Sequence, residues 1–119
     1  MKDFKNLQVW EKSHFLTLSI YEVTKSFPKE ELFGLTSQIR RAAASMPTNI
    51  AEGCGRSTDP DFARFLQIAF GSACEVEYQL ILARDLEYVE EGVFSKVTDE
   101  LITVKKMLAS LISKIRSDR

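Results

Sequence analysis

The chain has 119 residues and a formal net charge of −1, and 45% of its residues are hydrophobic and 28% charged. These values predict one soluble globular domain over residues 1–119, because the length suffices for a single core and the prolines and glycines are few. The charge argues against bulk attraction to nucleic acid. No apolar run reaches the ~20 residues that a membrane-spanning helix needs.

The cysteines and the first residues indicate a cytoplasmic protein. Cys54 and Cys74 form no Cys-x-x-Cys pair, and the opening Met-Lys-Asp-Phe-Lys-Asn is too polar for a secretion signal. Because disulfide bonds are rare in the cytosol, we expect both thiols to be reduced.

The first predicted helix runs from about Asn6 to Ser26 and carries apolar residues on two neighbouring faces. One face comprises Leu7, Trp10, His14, Thr17, Tyr21 and Thr24, and the other comprises Phe15, Leu16, Ile20, Val23 and Phe27. Two such faces are explained either by a wide core face or by a subunit interface. The sequence leaves both explanations open.

The second predicted helix, from Leu32 to about Cys54, contains a proline within its apolar stripe. The stripe consists of Leu32, Leu35, Ile39, Ala42, Met46 and Ile50. Pro47 lacks the amide that would bond to the carbonyl of Ala43, and its ring clashes there, so a kink is predicted. Ser45 and Asn49 are short polar residues that can satisfy the freed backbone atoms. We expect a bent helix around which the other helices pack closely.

Two further helices complete the pattern. The third is predicted to start with Asp59 as N-cap and Pro60 in the first helical position, and helix two is expected to cross it closely at Gly71-Ser72-Ala73-Cys74. Its apolar stripe is Phe62, Leu66, Ala69, Ala73, Val76, Leu80 and Ala83, and that of the fourth helix is Phe94, Val97, Leu101, Val104, Leu108, Leu111 and Ile115. The four helices with short connections predict an all-α fold, an antiparallel up-down-up-down four-helix bundle.

Catalytic chemistry finds little support in the sequence. His14 is the one histidine, and Glu11-x-x-His14 is half of a di-iron bundle motif that needs a second copy. The two cysteines share no ligand spacing, and Gly53-Cys54-Gly55 lacks the strand and lysine of a phosphate-binding loop. We therefore predict no enzyme, no metal site, no cofactor and no small-molecule substrate.

Nucleic-acid binding has candidate residues although the chain is slightly acidic. Arg40, Arg41, Arg56 and Arg64 could converge at one end of the bundle, and Lys105-Lys106 with Lys114 and Arg116 could extend that surface. The alternative is an ordinary solvated face whose arginines pair with Glu52 or with the segment 57–89. That segment carries two basic and six acidic side chains. An oligomer would favour binding, because it repeats each small patch around its axis.

The residues resemble a known family along the whole chain. The matching segments are Leu7-Gln-Val-Trp10, Tyr21 to Pro28, Gly34-Leu-Thr-Ser-Gln-Ile-Arg-Arg-Ala-Ala43, Ser45-Met-Pro-Thr-Asn-Ile-Ala-Glu-Gly53, and Ile68-Ala-Phe-Gly-Ser72 followed by Glu75. In these segments the chain is similar to the bacterial four-helix-bundle proteins named for intervening sequences in large-subunit ribosomal RNA genes. These are often catalogued as ribosomal proteins.

The resemblance implies a bundle that assembles into a ring-like homopentamer with a central channel and has no catalytic activity. It also implies kinship with the accessory variability protein of diversity-generating retroelements. That relative binds nucleic acid and a reverse transcriptase through a basic barrel surface, whereas this chain is slightly acidic overall.

Our leading hypothesis is a non-enzymatic, homo-oligomeric scaffold or accessory protein that binds structured RNA, DNA or a nucleic-acid enzyme. The four arginines are the candidate contacts, and Trp10, Tyr21, Pro47 and Asn49 are the candidates for the oligomer interface or the helix kink. The alternative is a purely structural or protein-partner module whose arginines serve only its own ion pairs.

Overall fold

The computed structural model describes residues 2–117, which form four α-helices and no strand. The helices are α1 (Gln8–Thr24), α2 (Leu35–Cys54), α3 (Asp59–Asp85) and α4 (Glu91–Ser117), with 3₁₀ turns at Phe4–Asn6 and Lys29–Glu31. Each helix packs against two others, in the pairs α1–α2, α2–α3, α3–α4 and α4–α1. Short connections make neighbours antiparallel, so the predicted all-α four-helix bundle is confirmed, with extents of 46 × 24 × 20 Å.

The core follows the apolar stripes that the sequence predicts for α3 and α4, with one shift. All seven predicted residues of α3 are buried, and so are six of the seven on α4. Leu111 is only half-buried, and Ile112 takes the core position instead. A straight α-helix drifts ~20° per heptad relative to a strict seven-residue repeat, so the core-facing residue changes after several turns.

The core face of α1 lies between the two predicted stripes. Its buried residues are Val9, Ser13, Leu16, Thr17, Ile20 and Thr24. Phe15, Leu18 and Tyr21 stay outside, with 56%, 51% and 42% of their surface exposed. A wide core face therefore does not account for every apolar residue of this helix, and the outward ones remain to be explained.

Two helix starts differ from the prediction. The N-cap of α3 is Thr58 rather than Asp59, because the Thr58 hydroxyl accepts a hydrogen bond from the Asp61 amide at 3.3 Å. Helix α2 begins at Leu35 rather than Leu32. The carboxylate of Glu31, in the preceding 3₁₀ turn, accepts a bond from the Leu35 amide at 3.0 Å. In both places a side chain outside the helix satisfies an amide that has no partner within it.

Helix α2 continues through Pro47 because a neighbouring helix supplies the missing donor. The carbonyl of Ala43 would normally bond to the amide of residue 47, which proline lacks. The hydroxyl of Thr17 on α1 lies 3.0 Å from that carbonyl, and it also lies 2.8 Å from the carbonyl of Ser13, so one proton serves two buried acceptors. The sequence analysis missed this role of Thr17. The bend angle at Pro47 stays a prediction.

Helices α2 and α3 are in close contact at Ser72, within the predicted segment, and again nearer their connection, at Gly53. The hydroxyls of Ser45 and Ser72 are 2.9 Å apart, but Gly71 is exposed, and a Cβ there would meet nothing within 4 Å. A Cβ on Gly53 would instead come within 3.0 Å of both the Phe62 and the Phe65 side chains. Between these two glycines, Gly53 is therefore the one whose lack of a side chain permits close packing of α2 on α3.

Candidate nucleic-acid interface

Arg40 is used by the fold itself. Its Nε donates to the Thr24 hydroxyl at 2.7 Å, and one terminal nitrogen lies 3.4 Å from the carbonyl of Tyr21. The guanidinium also sits over the Tyr21 ring, 4.8 Å from the ring centre. Arg40 therefore joins α2 to the last turn of α1.

Arg41 is exposed and lines a polar groove between α2 and α3. Gln38, Ser45, Ser72 and Glu75 lie in the same groove, so a carboxylate and two hydroxyls are close to this arginine. An acidic neighbour weakens the attraction of a phosphate to the guanidinium. This groove is a poorer phosphate site than a surface that carries cations alone.

Arg56 and Arg64 form a pair on one aromatic ring. Each guanidinium lies 4.5 Å from the centre of the Phe65 ring, and the ring itself is buried. Arg64 also pairs with Asp61 at 3.2 Å across one helical turn. Stacking restrains both side chains while their polar edges stay exposed.

The four arginines do not converge at one end of the bundle. Arg40 is bonded to the end of α1, whereas Arg56 follows the end of α2. Fourteen residues separate Arg40 from Cys54, which is roughly 20 Å along a helix. The structure brings Arg56 and Arg64 together and leaves Arg40 and Arg41 in the other half.

Basic and acidic residues are unevenly distributed between the two ends of the bundle. We call residues 2–15, 46–70 and 105–117 the basic half, since the antiparallel order brings these segments together. They carry nine basic and five acidic side chains, whereas residues 16–45 and 71–104, the acidic half, carry six basic and eleven acidic ones. The local acidity predicted for 57–89 thus belongs mainly to its second part.

The last turns of α4 supply much of the positive charge. Lys106, Lys114 and Arg116 are exposed there. Lys105 is less available to bind a phosphate, because its ammonium group donates a hydrogen bond to the Glu77 carboxylate at 2.7 Å. That hydrogen bond raises the pKa of Lys105 above its ordinary value, although partial burial opposes the shift. Lys105 therefore joins α4 to α3.

The candidates for the interface or the kink occupy different places. Trp10 stacks on His14 with ring centres 5.3 Å apart, and both line a groove that includes Pro47. Tyr21 lies farther along α1 under Arg40. Asn49 donates to the carbonyl and the hydroxyl of Ser45, at 2.8 and 2.9 Å, and so supports α2 itself.

Two outward residues of α1 were not among the candidates. Phe15 and Leu18 lie opposite the core face and are both more than half exposed. The three-residue spacing between them places both on one side of the helix, which is a signal that the sequence does contain. They share the outward face of α1 with the exposed carboxylates Glu11 and Glu22.

Residues 2–117 offer no evident metal or membrane-spanning element. Within that range no three histidine, cysteine or acidic side chains lie close enough to hold a metal ion, and none of the helices there is both long and apolar enough to cross a membrane. Burial raises the pKa of the Cys54 thiol, with the charge of Lys2 opposing the shift. A raised pKa makes that thiol less reactive.

Comparison with known proteins gives a family and a structural neighbour. The family model described as "23S rRNA-intervening sequence protein" matches residues 5–110. A crystal structure of a protein of unknown function from the S23 ribosomal protein family of Bacteroides thetaiotaomicron superposes with a TM-score of 0.82 at 29% identity. The alignment covers 88% of this chain and 95% of that one. No curated protein matches the chain.

Proposed function

We propose, from the premise that the chain belongs to the family of 23S rRNA-intervening sequence proteins, that it is a non-enzymatic, homo-oligomeric scaffold for structured nucleic acid. The proposal places the contact on the basic half of the bundle, with Arg56 and Arg64 as its fixed cations. It places the protein in the cytoplasm and includes no catalytic step, cofactor or small-molecule substrate.

The observation that carries the proposal is the division of charge between the two halves. A chain of net charge −1 has no general attraction for phosphate, but its basic half has a surplus of about four positive side chains. Surface charges act over about a Debye length, ~10 Å at 0.1 M salt, so the acidic half of a bundle 46 Å long is largely screened from this surface. The overall charge therefore does not argue against local binding.

The geometry of Arg56 and Arg64 suits contact with a nucleic-acid backbone. The Phe65 ring limits the motion of both guanidinium groups, so less conformational entropy is lost when they bind a phosphate. Lys106, Lys114 and Arg116 lie in the same half, at the end of α4. Contacts of this kind recognise shape and charge and do not read sequence.

Oligomerisation is the second part of the proposal, and the outer surface of α1 supports it. Phe15 and Leu18 are exposed apolar residues opposite the core, and an apolar patch of this kind commonly marks an interface. We propose a homopentamer, as the family resemblance implies. Five copies would repeat the basic surface around one axis, so individually weak phosphate contacts would add.

The test of binding is its salt dependence. The probes are an RNA hairpin and the DNA hairpin of the same sequence, with affinities measured from low to high salt. Each phosphate contact contributes ~0.7 to ~0.9 to the slope of log K against log salt. Replacing both arginines, Arg56→Gln with Arg64→Gln, should flatten the slope by roughly 1.4 to 1.8 and lower the affinity for both hairpins.

A matched control removes two positive charges from the acidic half. Lys25→Gln with Lys96→Gln makes the same change of net charge at exposed positions away from the basic half. We expect this control to bind like the original protein. Equal loss in both double variants would contradict the assignment, and so would an unchanged slope in the arginine variant.

The second candidate function is a protein-partner or purely structural module without nucleic-acid binding. Arg40 favours it, because its bonds to Thr24 and Tyr21 serve only the fold of the chain. The exposed apolar residues on α1 would suit contact with a different protein equally well as contact with a second copy of this chain. Absence of any salt-dependent hairpin binding by a correctly assembled oligomer would select this function.

A further inference from the structure

A pocket with three cationic side chains lies between the end of α1 and the start of α2, in the acidic half. It encloses about 300 Å³. Lys25, Lys29 and Arg40 contribute its positive charges, and Thr24 and Thr36 contribute hydroxyl groups. None of the described residues that line it is acidic. This cationic pocket is therefore a local exception within a half of the bundle in which carboxylates outnumber basic groups.

The hydroxyl of Thr36 has no hydrogen-bond partner within residues 2–117, although Thr36 is only 4% exposed. The other buried hydroxyl groups are those of Ser13, Thr17 and Thr24, and each donates to a backbone carbonyl, at 2.9, 2.8 and 2.8 Å. Thr36 lines the cationic pocket, so its hydroxyl can find a partner there. Because buried polar groups are nearly always hydrogen-bonded, this hydroxyl points to a ligand in the pocket.

The start of α2 adds free donors beside the pocket. The amide of Leu35 donates to the Glu31 carboxylate at 3.0 Å, but the next two amides, those of Thr36 and Ser37, have no partner among the described residues. Free amides at a helix start attract anions. Glu31 does not line the pocket, but its charge offsets part of this attraction. The cationic side chains therefore supply most of the attraction for an anion.

The three cations keep donors for a ligand. Two of the five N–H groups of Arg40 bond to α1, which leaves three. Lys29 is exposed and forms no ion pair within the described part of the chain. Lys25 pairs with Glu22 at 2.9 Å, but both side chains are at least 70% exposed. Such exposed pairs are weak, so Lys25 can exchange its partner for a ligand in the pocket.

The charge and the number of donors favour a phosphate group over a carboxylate. A phosphate monoester carries about −1.5 to −2 charges at pH 7 and three strong acceptor oxygens, whereas a carboxylate has a single charge and two oxygens. Three cations and a free hydroxyl match the phosphate in both respects. The pocket volume lies at the lower end of the ~300–1,000 Å³ of small-molecule sites, and Phe27 and Leu32 form an apolar wall beside the cations.

We propose that the cationic pocket binds the phosphate group of a small molecule, with Lys29, Arg40 and the Thr36 hydroxyl as its main contacts. The group comes either from free phosphate or from an organic phosphomonoester, and it is bound as a ligand and undergoes no reaction. The pocket lies in the half opposite to Arg56 and Arg64, so this inference does not depend on the proposed nucleic-acid binding.

The experiment is isothermal titration calorimetry of nucleic-acid-free protein with inorganic phosphate and with phenyl phosphate, at an ionic strength held constant with sodium chloride. We expect one site per chain. Tighter binding of phenyl phosphate would identify an organic monoester as the source of the group, and equal binding would identify free phosphate.

Thr36→Val is the most informative variant, because it keeps the shape of the side chain and removes a hydroxyl that the fold does not use. It should lower the affinity for phosphate roughly tenfold, as expected for a hydrogen bond to a charged group, without lowering the stability in urea denaturation. Lys29→Gln should weaken binding several-fold. Lys96→Gln is its matched control, since it removes an exposed lysine of the same half outside the pocket, and it should bind like the original protein.

Three results would overturn the proposal: no binding of either probe to the original protein, unchanged affinity in Thr36→Val, or equal losses in Lys29→Gln and Lys96→Gln. Displacement of bound phosphate by the RNA hairpin would assign the pocket to nucleic acid and would equally overturn it. Loss of hairpin binding in the variant of Arg56 and Arg64, with phosphate binding retained, would leave both proposals standing.

Discussion

Arginine has different tasks in the two halves of the bundle. In the acidic half, Arg40 fastens α2 to α1 through the hydroxyl of Thr24 and the carbonyl of Tyr21. In the basic half, Arg56 and Arg64 rest on the Phe65 ring, and Arg64 also makes an exposed pair with Asp61. Arg40 thus joins two helices, whereas neither Arg56 nor Arg64 joins its helix to another through a hydrogen bond, and both stay exposed to a ligand.

This difference shows how a nearly neutral chain can present a cationic surface. Both halves share one continuous core, since the apolar stripes of α3 and α4 run through both. Only the surface charge distinguishes them, and core packing imposes little constraint on exposed charged residues. Substitutions that act on the shared core should therefore affect both halves, and substitutions on the surface should affect only one.

The largest expected effect concerns the junction of the halves, where Thr17 bonds to the carbonyl of Ala43. Thr17→Val keeps the shape of the side chain but leaves that buried carbonyl without its donor, so the free energy of unfolding should fall by about 1–3 kcal/mol. Urea denaturation measures the change. Nucleic-acid affinity, measured where the protein is fully folded, should stay the same.

A double-mutant cycle tests the physical reason for this effect. Pro47→Ala restores an amide that can donate to Ala43, so Thr17→Val should cost about 1 kcal/mol less in that background. Equal costs in the two backgrounds would show that the threonine does not replace the missing amide.

Replacing the arginines of either half by glutamine should give the next largest effect. Arg56→Gln with Arg64→Gln should lower hairpin affinity on the order of tenfold at 0.1 M salt. It also removes two cation–π contacts with the Phe65 ring, at an expected cost of about 1 kcal/mol, whereas the exposed pair with Asp61 contributes little to folding. Arg40→Gln should lower the free energy of unfolding by a similar amount, about 1 kcal/mol, but keep the affinity.

Denaturation and hairpin titration of the same three preparations measure both quantities. If Arg40→Gln weakened binding as strongly as the double variant, the distinction between the halves would fail.

Two glycines offer a matched pair with a smaller effect. Gly71→Ala adds a methyl group in open space on α3, so higher helix propensity should raise the free energy of unfolding by about 0.5–1 kcal/mol. Gly53→Ala has the same propensity gain but presses on Phe62 and Phe65, and overpacking costs about 1–3 kcal/mol. We expect a net loss of stability in that variant. If thermal denaturation showed that both substitutions stabilise the protein equally, the tight contact at Gly53 would be disproved.

The smallest expected effect is a dependence on alkaline pH in the acidic half. The bond from Tyr88 to the Glu31 carboxylate raises the pKa of the Tyr88 phenol, with burial adding to the shift. A raised pKa in the folded state means that this stabilisation is complete below the ordinary tyrosine pKa of ~10 and is lost as the pH rises through the higher value. Tyr88→Phe should therefore make the stability less sensitive to pH above 10. An identical pH profile in urea denaturation would refute this contribution.

The sequence predicted most of the fold because helical periodicity is a local signal. The four helices, their order and nearly all core residues of α3 and α4 follow from three-four spacing. The exceptions depend on contacts with other segments. Glu31 delays the start of α2, and Ile112 replaces Leu111 only after helical drift has accumulated. The donor that Thr17 provides to Ala43 could not be found before α1 and α2 were placed side by side.

The candidate site was less predictable because the clustering of charged residues depends on how distant segments pack together. Arg40, Arg41, Arg56 and Arg64 are close enough in sequence to suggest one cluster, but 14 residues of helix separate Arg40 from the end of α2. The basic half becomes visible only when the antiparallel order brings residues 2–15, 46–70 and 105–117 together. By contrast, the outward spacing of Phe15 and Leu18 was available in the sequence.

The most direct measurement is lysine-reactive labelling in the presence and absence of the RNA hairpin, read by peptide mass spectrometry. The chain offers reporters in both halves: Lys5, Lys106 and Lys114 in the basic half, and Lys25, Lys29 and Lys96 in the acidic half, all exposed. We predict that the hairpin protects the first group and leaves the labelling of the second unchanged. Protection of the second group, or equal protection of both, would contradict the assignment of nucleic-acid binding to the basic half.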